Sequence, residues 1–405
     1  MAERDEIRLG VIGVGNMGSG HLKYVADGLC PSVRITAVCD VREERLEIAK
    51  KLQPRAVPFT DAVQLMDSGL AEAVLIAAPH YLHPVYAKEA FARGLHVLTE
   101  KPAGVTVPAV REMNEAARAS GKKFAIMFNQ RTNPLFIKAH DIVQNGLLGE
   151  PKRFVWIITN WYRTQAYYDS GSWRASWSGE GGGVLLNQAP HNLDIWQWIF
   201  GVPNRVHASV DFGKYHHISV DDDATIIGEY DNGARAAFIT TTGECPGTNR
   251  LEISGDLGKL VLENGTLKWW KLTRPEREIC FTEKVGAYQA ELQYEEFTAD
   301  EPDGHPILLE DFARAILEDR EPCVPGYEGI KALSISNAAY LSAWTSRTVT
   351  PGTEEDLFEE LLEEHRRAEL ARAAADPAKA EAAGAVKDKI PEEINELKKR
   401  WQVRW

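Results

Sequence analysis

Ile7-Arg-Leu-Gly-Val-Ile-Gly13-Val-Gly15-Asn16-Met17-Gly18 is the stretch that decides the fold. A short apolar run ends in a G-x-G-x-x-G turn, and a helical pattern follows to about Asp27. The motif alone is weak, because glycine turns are frequent. Its setting between a strand and a helix gives it weight. Gly13 permits the tight turn, Gly15 lets the backbone approach a pyrophosphate, and Gly18 allows close helix–strand packing. The amides of Asn16 and Met17 then open a helix N-terminus, which attracts phosphate.

Working outward, Val33–Cys39 reads as a second strand and ends at Asp40, 22 residues after Gly18. An acid there accepts hydrogen bonds from the adenosine ribose hydroxyls and repels a 2′-phosphate. NAD is therefore favoured over NADP. Arg42, next to Val41, weakens that preference, because an arginine pairs with a 2′-phosphate. Strand-like runs at Ala73–Ala77, His96–Thr99 and Phe124–Phe128 alternate with helical runs at Glu43–Lys51, Pro84–Arg93 and Pro108–Ser120. Such alternation predicts an α/β unit, a doubly wound parallel sheet, over residues 1–130.

After about residue 130 the pattern changes. A helix at Pro134–Asn145 leads to β-like runs at 152–161, 204–212, 223–230, 234–241, 249–254 and 259–263. Asp231-Asn-Gly233 is a hairpin signal between two of them. Consecutive strands predict an α+β unit with an open, mostly antiparallel sheet over 131–350. Helices at 306–319 and 327–346 complete it, the second able to pack back on the first unit. One face of an open sheet needs a cover, and a second copy of the chain supplies one. A homodimer or homotetramer through this sheet is expected. The last stretch, 351–405, is rich in Glu, Ala, Lys and Arg. It reads as a charged helical extension, solvated over 365–389. Ile390, Ile394, Leu397, Trp401 and Trp405 then suit an arm that packs on a neighbour.

Composition sets limits. The chain has 405 residues, a net charge of −13 and 26% charged residues. That acidity argues against general nucleic-acid binding. Five scattered cysteines include no C-x-x-C pair, so neither a structural zinc site nor a disulfide framework is expected. No metal site is expected. A polar N-terminus leading straight into a strand and the lack of a long apolar run predict a cytoplasmic protein with no membrane partner.

Two further constellations carry chemistry. Glu100-Lys101-Pro102 ends the His96–Thr99 run, on the sheet edge where ligands of such folds bind. Pro102 stops the strand, and the Lys101 ammonium can bind a hydroxyl and ease its ionisation. A plain surface lysine paired with Glu100 is the alternative. Ala78-Pro79-His80 lies at the end of another strand, while His83 suits a helix start and a ligand contact equally. In the second unit, Glu180-Gly-Gly-Gly183-Val-Leu-Leu-Asn187-Gln-Ala-Pro-His191-Asn-Leu-Asp194 puts Asn187, His191 and Asp194 at helical spacing. Pro190 fits best in a helix's first turn and interrupts that reading. His191 alone is ambiguous between backbone partner and base.

These pieces together resemble the glucose–fructose oxidoreductase, inositol dehydrogenase and rhizopine-catabolism (Gfo/Idh/MocA) family over residues 7 to about 350. The resemblance implies NAD(P)-dependent oxidation of a secondary hydroxyl on a sugar or polyol. It implies that Lys101 polarises the hydroxyl, that His191 is the general base, and that Asp194 orients the histidine or the substrate. Asn187 stands where the family usually has an aspartate and brings no charge to raise the histidine pKa. His80 stands where the family often has asparagine. Gly13, Gly15, Asn16, Met17, Gly18, Asp40, Val41, Arg42, Ala78, Pro79, His80, His83, Glu100, Lys101 and Asn129 are assigned to the cofactor. Lys101, Arg131, Tyr162, Trp173, Arg174, Asn187, His191 and Asp194 are assigned to the substrate. The Asn187–Asp194 stretch resembles a branch with glycoside- and anhydrosugar-oxidising members.

Residues 156–177 interleave Trp156, Trp161, Tyr162, Tyr167, Tyr168, Trp173 and Trp177 with Arg163 and Arg174. Sugars pack C–H faces on such rings. Core packing is the competing reading, and it suits Trp156 best. Three functions follow: an NAD-dependent dehydrogenase making a keto-sugar, a redox-neutral glycosidase or lyase acting through a transient 3-keto sugar, and a non-catalytic nucleotide sensor. Retention of both Lys101 and His191 weighs against the sensor.

Overall fold

Continuous apolar runs become strands buried on both faces. In the computed structural model, which describes residues 5–171, 173–287 and 291–375, the first of these is β1 (Ile7–Ile12). The glycine turn follows it, then α1 (Asn16–Ala26), β2 (Val33–Cys39), α2 (Glu43–Leu52), β3 (Val57–Phe59), α3 (Ala62–Asp67), β4 (Ala73–Ile76), α4 (Leu82–Ala92), β5 (His96–Thr99), α5 (Val107–Ser120) and β6 (Phe124–Ile126). The six strands lie in the order β3-β2-β1-β4-β5-β6, all parallel. The order reverses beside β1, so a crevice opens where the glycine turn leaves it. α5 shows why the helices form. Pro108 sits in its first turn, Val107, Val110, Met113 and Ala117 make its buried stripe, and Gly121 ends it at φ 65°.

The second half continues with α6 (Pro134–Gln144), β7 (Pro151–Ile158), α7 (Gln165–Tyr168), α8 (Pro190–Phe200), β8 (Arg205–Phe212), β9 (Asp221–Glu229), β10 (Arg235–Thr241), β11 (Asn249–Gly255), β12 (Gly258–Glu263), β13 (Thr266–Leu272), α9 (Glu276–Thr282) and β14 (Leu292–Thr298). Eight strands pair in the order β14-β13-β12-β11-β7-β10-β9-β8. Every pair is antiparallel except β7–β10. Gly233, at φ 89°, turns the hairpin between β9 and β10. Phe154, Trp156, Ile226 and Phe238 point to the buried face, which α8 and α6 cover. Val155, Ile157, Ile227 and Ile239 alternate onto the other face, where they are partly or well exposed.

The last helices are α10 (Gly304–Leu317), α11 (Gly329–Thr345) and α12 (Glu355–Ala375). α10 returns to the first sheet, and α11 packs back on the first unit as well, with Asn337 Nδ2 donating to Val105 O at 3.1 Å. Ser32 N and Oγ bond the Glu310 carboxylate at 3.0 and 2.7 Å, and Ile126 N bonds Val324 O at 3.2 Å. α11 packs mainly on β8 and α8 and touches α5. α12 buries Phe358 and Leu362. The solvated reading is corrected at His365, Arg366 and Glu369, which contact Trp177, Tyr81 and Ser178, whereas residues 370–375 are exposed. Residues 376–405, with Ile390, Ile394, Leu397, Trp401 and Trp405, lie outside the described residues. No helix among the described residues is long and apolar enough to cross a membrane.

Candidate active site

The glycine turn separates three demands on glycine. A Cβ on Gly13 would meet Ala77 O at 2.5 Å, and one on Gly18 would meet Gly13 O at 1.9 Å. Both are therefore fixed by the chain's own packing. A Cβ on Gly15 would meet nothing within 4 Å, and its φ of −71° suits any residue. No atom of the chain therefore requires a glycine at position 15, and the space above it is open. The N-terminus of α1 carries no side-chain cap, so its first amides face that space unpaired with a side chain. Asp40 closes the turn from β2, with Val14 N and Arg42 N donating to its two oxygens at 2.8 and 3.0 Å. Each carboxylate oxygen keeps a further lone pair for a ribose hydroxyl. Val41 is 81% exposed at the rim, and Arg42 pairs with Glu44 at 3.7 Å. This cradle fits a dinucleotide pyrophosphate and adenosine ribose.

At the ends of β4 and β5 the side chains are less uniform. Ala78 and Pro79 line the open edge. His83 does not face it. Its Nδ1 lies 2.7 Å from Pro102 O and its Nε2 2.7 Å from Ala78 O, so it ties two strand-end loops together. His80 is likewise buried, with Nδ1 on Glu180 O at 2.8 Å. Burial holds the pKa of both rings below the usual histidine value, most strongly for His80, where His83 and Lys101 add repulsion. His80 thus joins the first unit to the loop before Asn187, and His83 joins two strand ends of the first unit. Glu100 is also turned inward and bonds His21 Nε2 of α1 at 2.7 Å. Burial pushes its carboxyl up, but the bond from His21 and the charges of His21, His305 and Lys101 bring it below the usual range.

Lys101 reaches across to the second unit. Its Nζ donates to Asn187 O at 2.6 Å and approaches Asn187 Oδ1 at 3.4 Å. Burial lowers its pKa to about 8, with Arg174 and Arg163 adding to that effect and Glu100 and Glu180 opposing it. Asn187 lies in a π-helical turn, Val184–Gln188, and α8 starts only at Pro190. Asp221 holds this turn, accepting from Gly183 N and Leu185 N at 2.6 and 2.8 Å. Gly183 must be glycine there, since a Cβ would meet Asp221 O at 1.9 Å. His191, in the first turn of α8, is buried, and its Nδ1 has no hydrogen-bond partner among the described residues. Burial, then the charges of Lys101 and His305, hold its pKa well below 6.5. It is a neutral imidazole at ordinary pH.

Arg131 and Asp194 bond each other. Arg131 Nε and Nη2 donate to the Asp194 carboxylate at 2.7 and 2.6 Å, and Nη1 bonds Glu328. Gln197 Nε2 donates to Asp194 as well, at 2.9 Å. Both residues are buried with these bonds satisfied, so they join α8 to the 129–132 turn and Glu328. Asp194 lies on α8 with His191, while Asn187 lies before the break at 188–190 and is not on that helix. Asn129 stays near the site, its Nδ2 3.4 Å from His305 Nδ1.

Of the aromatic stretch, Trp156 and Trp177 are core. Tyr162 is 46% exposed, and Trp173 packs edge-on to His80 at 5.6 Å. Arg174 lies over the Tyr167 and Trp173 rings and 3.9 Å from Glu180. Glu180 itself is the residue that sequence reading passed over. It is 1% exposed, accepts from Ala175 N at 2.7 Å, and bonds Asn187 Nδ2. Burial pushes its carboxyl up, against the pull of Arg174, Ala175 N, Asn187 and Lys101. Its place before three glycines was the available signal. His305, brought in by the start of α10, had none. Among the described residues no group of three or more His, Cys, Asp or Glu could hold a metal ion.

Comparison with known proteins agrees with this geometry. The myo-inositol 2-dehydrogenase of Thermotoga maritima is 25% identical over 354 residues, covering 85% of this chain and 98% of that one. The WlbA dehydrogenase of Bordetella pertussis, solved with NADH and UDP-GlcNAcA, shares the fold with a TM-score of 0.73 at 24% identity, over 85% of this chain and 97% of that one. Levoglucosan dehydrogenase, solved with NADH and levoglucosan, shares it with a TM-score of 0.72 at 21% identity, over 86% and 100%. Residues 136–261 match the Gfo/Idh/MocA C-terminal domain, and residues 7–128 match the oxidoreductase family's NAD-binding Rossmann fold. The chain therefore belongs to the Gfo/Idh/MocA family and is an NAD-binding oxidoreductase.

Proposed function

We propose that the enzyme oxidises a secondary hydroxyl of a sugar, glycoside, anhydrosugar or inositol to a ketone. The observation that carries this reading is the meeting of a lysine and a neutral histidine from the two halves of the chain beside the nucleotide cradle. Lys101 contacts Asn187 directly, and its charge acts on His191. The relatives named for inositol and levoglucosan support the substrate class.

The Gly13–Gly18 turn, the α1 amides and Asp40 would hold NAD, which when bound would supply the two-electron acceptor. The rest is work for side chains. The Lys101 ammonium binds the reacting oxygen and stabilises the charge that grows on it. His191 takes the hydroxyl proton, a task that requires the neutral ring. Asn187 orients Lys101 through its carbonyl oxygens and is itself held by Glu180. Trp173 and Arg174 bound the pocket on the loop side. We further propose that copies of the chain associate through the exposed face of the second sheet.

The test mixes purified protein and NAD with inositols, free sugars, anhydrosugars and aryl glycosides, following NADH by absorbance and products by mass spectrometry. NADH formed in step with a keto-sugar is expected, and Lys101→Met should cut its rate about a thousandfold while NAD still binds. Release of aglycone with no NADH would replace this reading with the redox-neutral glycosidase.

A further inference from the structure

The helix α12 lies beyond both family matches, yet its buried stripe climbs from the core to the loop that bounds the site. Phe358, Leu362, His365 and Glu369 recur at i, i+4, i+7 and i+11 and so share one face. Phe358 stacks on Trp344 of α11 at 5.5 Å. Two turns higher, the His365 ring lies 4.7 Å from Trp344 and 5.2 Å from Trp177. Higher again, the Glu369 carboxylate accepts from Trp177 N at 3.0 Å, from Ser178 N at 2.9 Å and from Ser178 Oγ at 2.8 Å. Beside it, Arg366 lies over the Tyr81 ring at 5.2 Å, and Tyr81 Oη donates to Trp177 O at 2.7 Å.

Trp173–Glu180 forms no helix or strand. Its backbone carries Trp173 and Arg174 at one end and Glu180 at the other. Tyr81, Ser219 and the buried Trp177 ring also hold it, but among the described residues Glu369 alone takes two successive amides of it. A carboxylate that accepts two successive amides and a hydroxyl makes charge-assisted bonds and fixes both position and direction. The downstream consequence runs through contacts already described: Glu180 bonds Asn187, and Asn187 accepts from Lys101.

We propose that Glu369 is a positioning residue of the active site, fastening the 173–180 loop so that Glu180 holds Asn187 against Lys101 and Trp173 and Arg174 set the width of the substrate pocket. The location of the pocket rests on the proposed roles of Lys101 and His191; the fastening itself does not. The C-terminal helix is thereby part of the substrate site.

The test compares the full chain with Glu369→Gln and with Glu360→Gln, a control on an exposed position of the same helix. Gln offers one acceptor where the loop presents three donors. Hydrogen exchange of the 173–187 peptides should speed about tenfold in Glu369→Gln, the effect of losing one charge-assisted hydrogen bond on local opening. The same peptides should be unchanged in Glu360→Gln. Labelling of Lys101 by an amine reagent, read by mass spectrometry as a function of pH, should shift only in Glu369→Gln. On whichever substrate the panel identifies, KM should rise severalfold with kcat within about twofold. Exchange and Lys101 labelling at wild-type levels in Glu369→Gln would overturn the proposal. So would faster exchange spread evenly over the whole chain, which would mean that Glu369 only stabilises the fold. Failure of the dehydrogenase reading itself shows separately, as turnover that Lys101→Met leaves unchanged.

Discussion

At the scale of single residues, the site balances two bases against each other. His191 is kept neutral by burial and by the charges of Lys101 and His305. Lys101 is brought down to about 8 by burial, against the opposing charges of Glu100 and Glu180. The productive state needs His191 without its extra proton and Lys101 with it. kcat/KM should therefore trace a bell. Its acidic limb falls well below pH 6.5, where His191 protonates. Its alkaline limb falls near pH 8, where Lys101 loses its charge. The neighbours give opposite signs. Glu180→Gln removes a charge that raises the lysine pKa, so the alkaline limb should move to lower pH. Arg174→Ala removes one that lowers it, so the limb should move up. Limbs that stay put in both variants would show that Lys101 is not the group titrating there. Lys101→Met should cost about a thousandfold in kcat/KM, within the range of a group acting on proton transfer and transition-state charge.

At the scale of elements, the turn between β1 and α1 separates folding from binding. Gly18→Ala places a methyl against the Gly13 carbonyl. It should lower stability by about 1–3 kcal/mol, an ordinary cost of overpacking, seen as a lower midpoint in denaturant. Gly15→Ala meets open space at an allowed φ. It should leave the midpoint unchanged and weaken NAD about tenfold or more by calorimetry. If Gly15→Ala unfolds the protein instead, the space above the turn is not a ligand's. This element was legible in the sequence because strand, glycine spacing and helix are adjacent in the chain. So were the parallel order, written in the alternation of runs, and the lysine at a strand end. Asp194 shares α8 with His191, and its carboxylate is taken up by Arg131 and Gln197; the break before α8, which Pro190 signals in the sequence, leaves Asn187 on a π-turn that Asp221 of a distant strand stabilises. His80 and His83 look like edge ligands in sequence, but the carbonyls that claim them belong to segments up to a hundred residues away. Val57-Pro-Phe59 and the charged Leu292–Thr298 edge strand lack the apolar alternation that marks a strand, and neither was expected. The extension reads as solvated because its buried stripe is narrow: a phenylalanine, a leucine, a histidine and a glutamate, the last two polar in composition but engaged in the fold.

At the scale of the whole molecule, the second sheet presents a face that its own helices do not cover. On the buried side, α6 and α8 cover Phe154, Trp156 and Phe238. On the other side Val155 and Ile157 of β7 stand beside Ala237 and Ile239 of β10, and Ala237 in turn beside Ile227 of β9. Ile227 is 38% exposed. A copy with net charge −13 repels its like, so association must be concentrated where charge is sparse. The charges that flank this aliphatic strip are paired, Arg250 and Arg153 with Glu252 and Arg235 with Glu229, and the strip suits a two-fold contact in which each copy covers the other's. Light scattering at micromolar concentration should give a dimer or tetramer. Ile157 and Ile239 sit directly opposite each other in the register. The double variant Ile157→Arg, Ile239→Arg puts four unpaired cations into a two-fold contact, and should yield a monomer that still binds NAD, because the cradle lies on the other sheet. A wild-type monomer, or a double variant whose mass is unchanged, would mean that some other surface, or none, joins the copies.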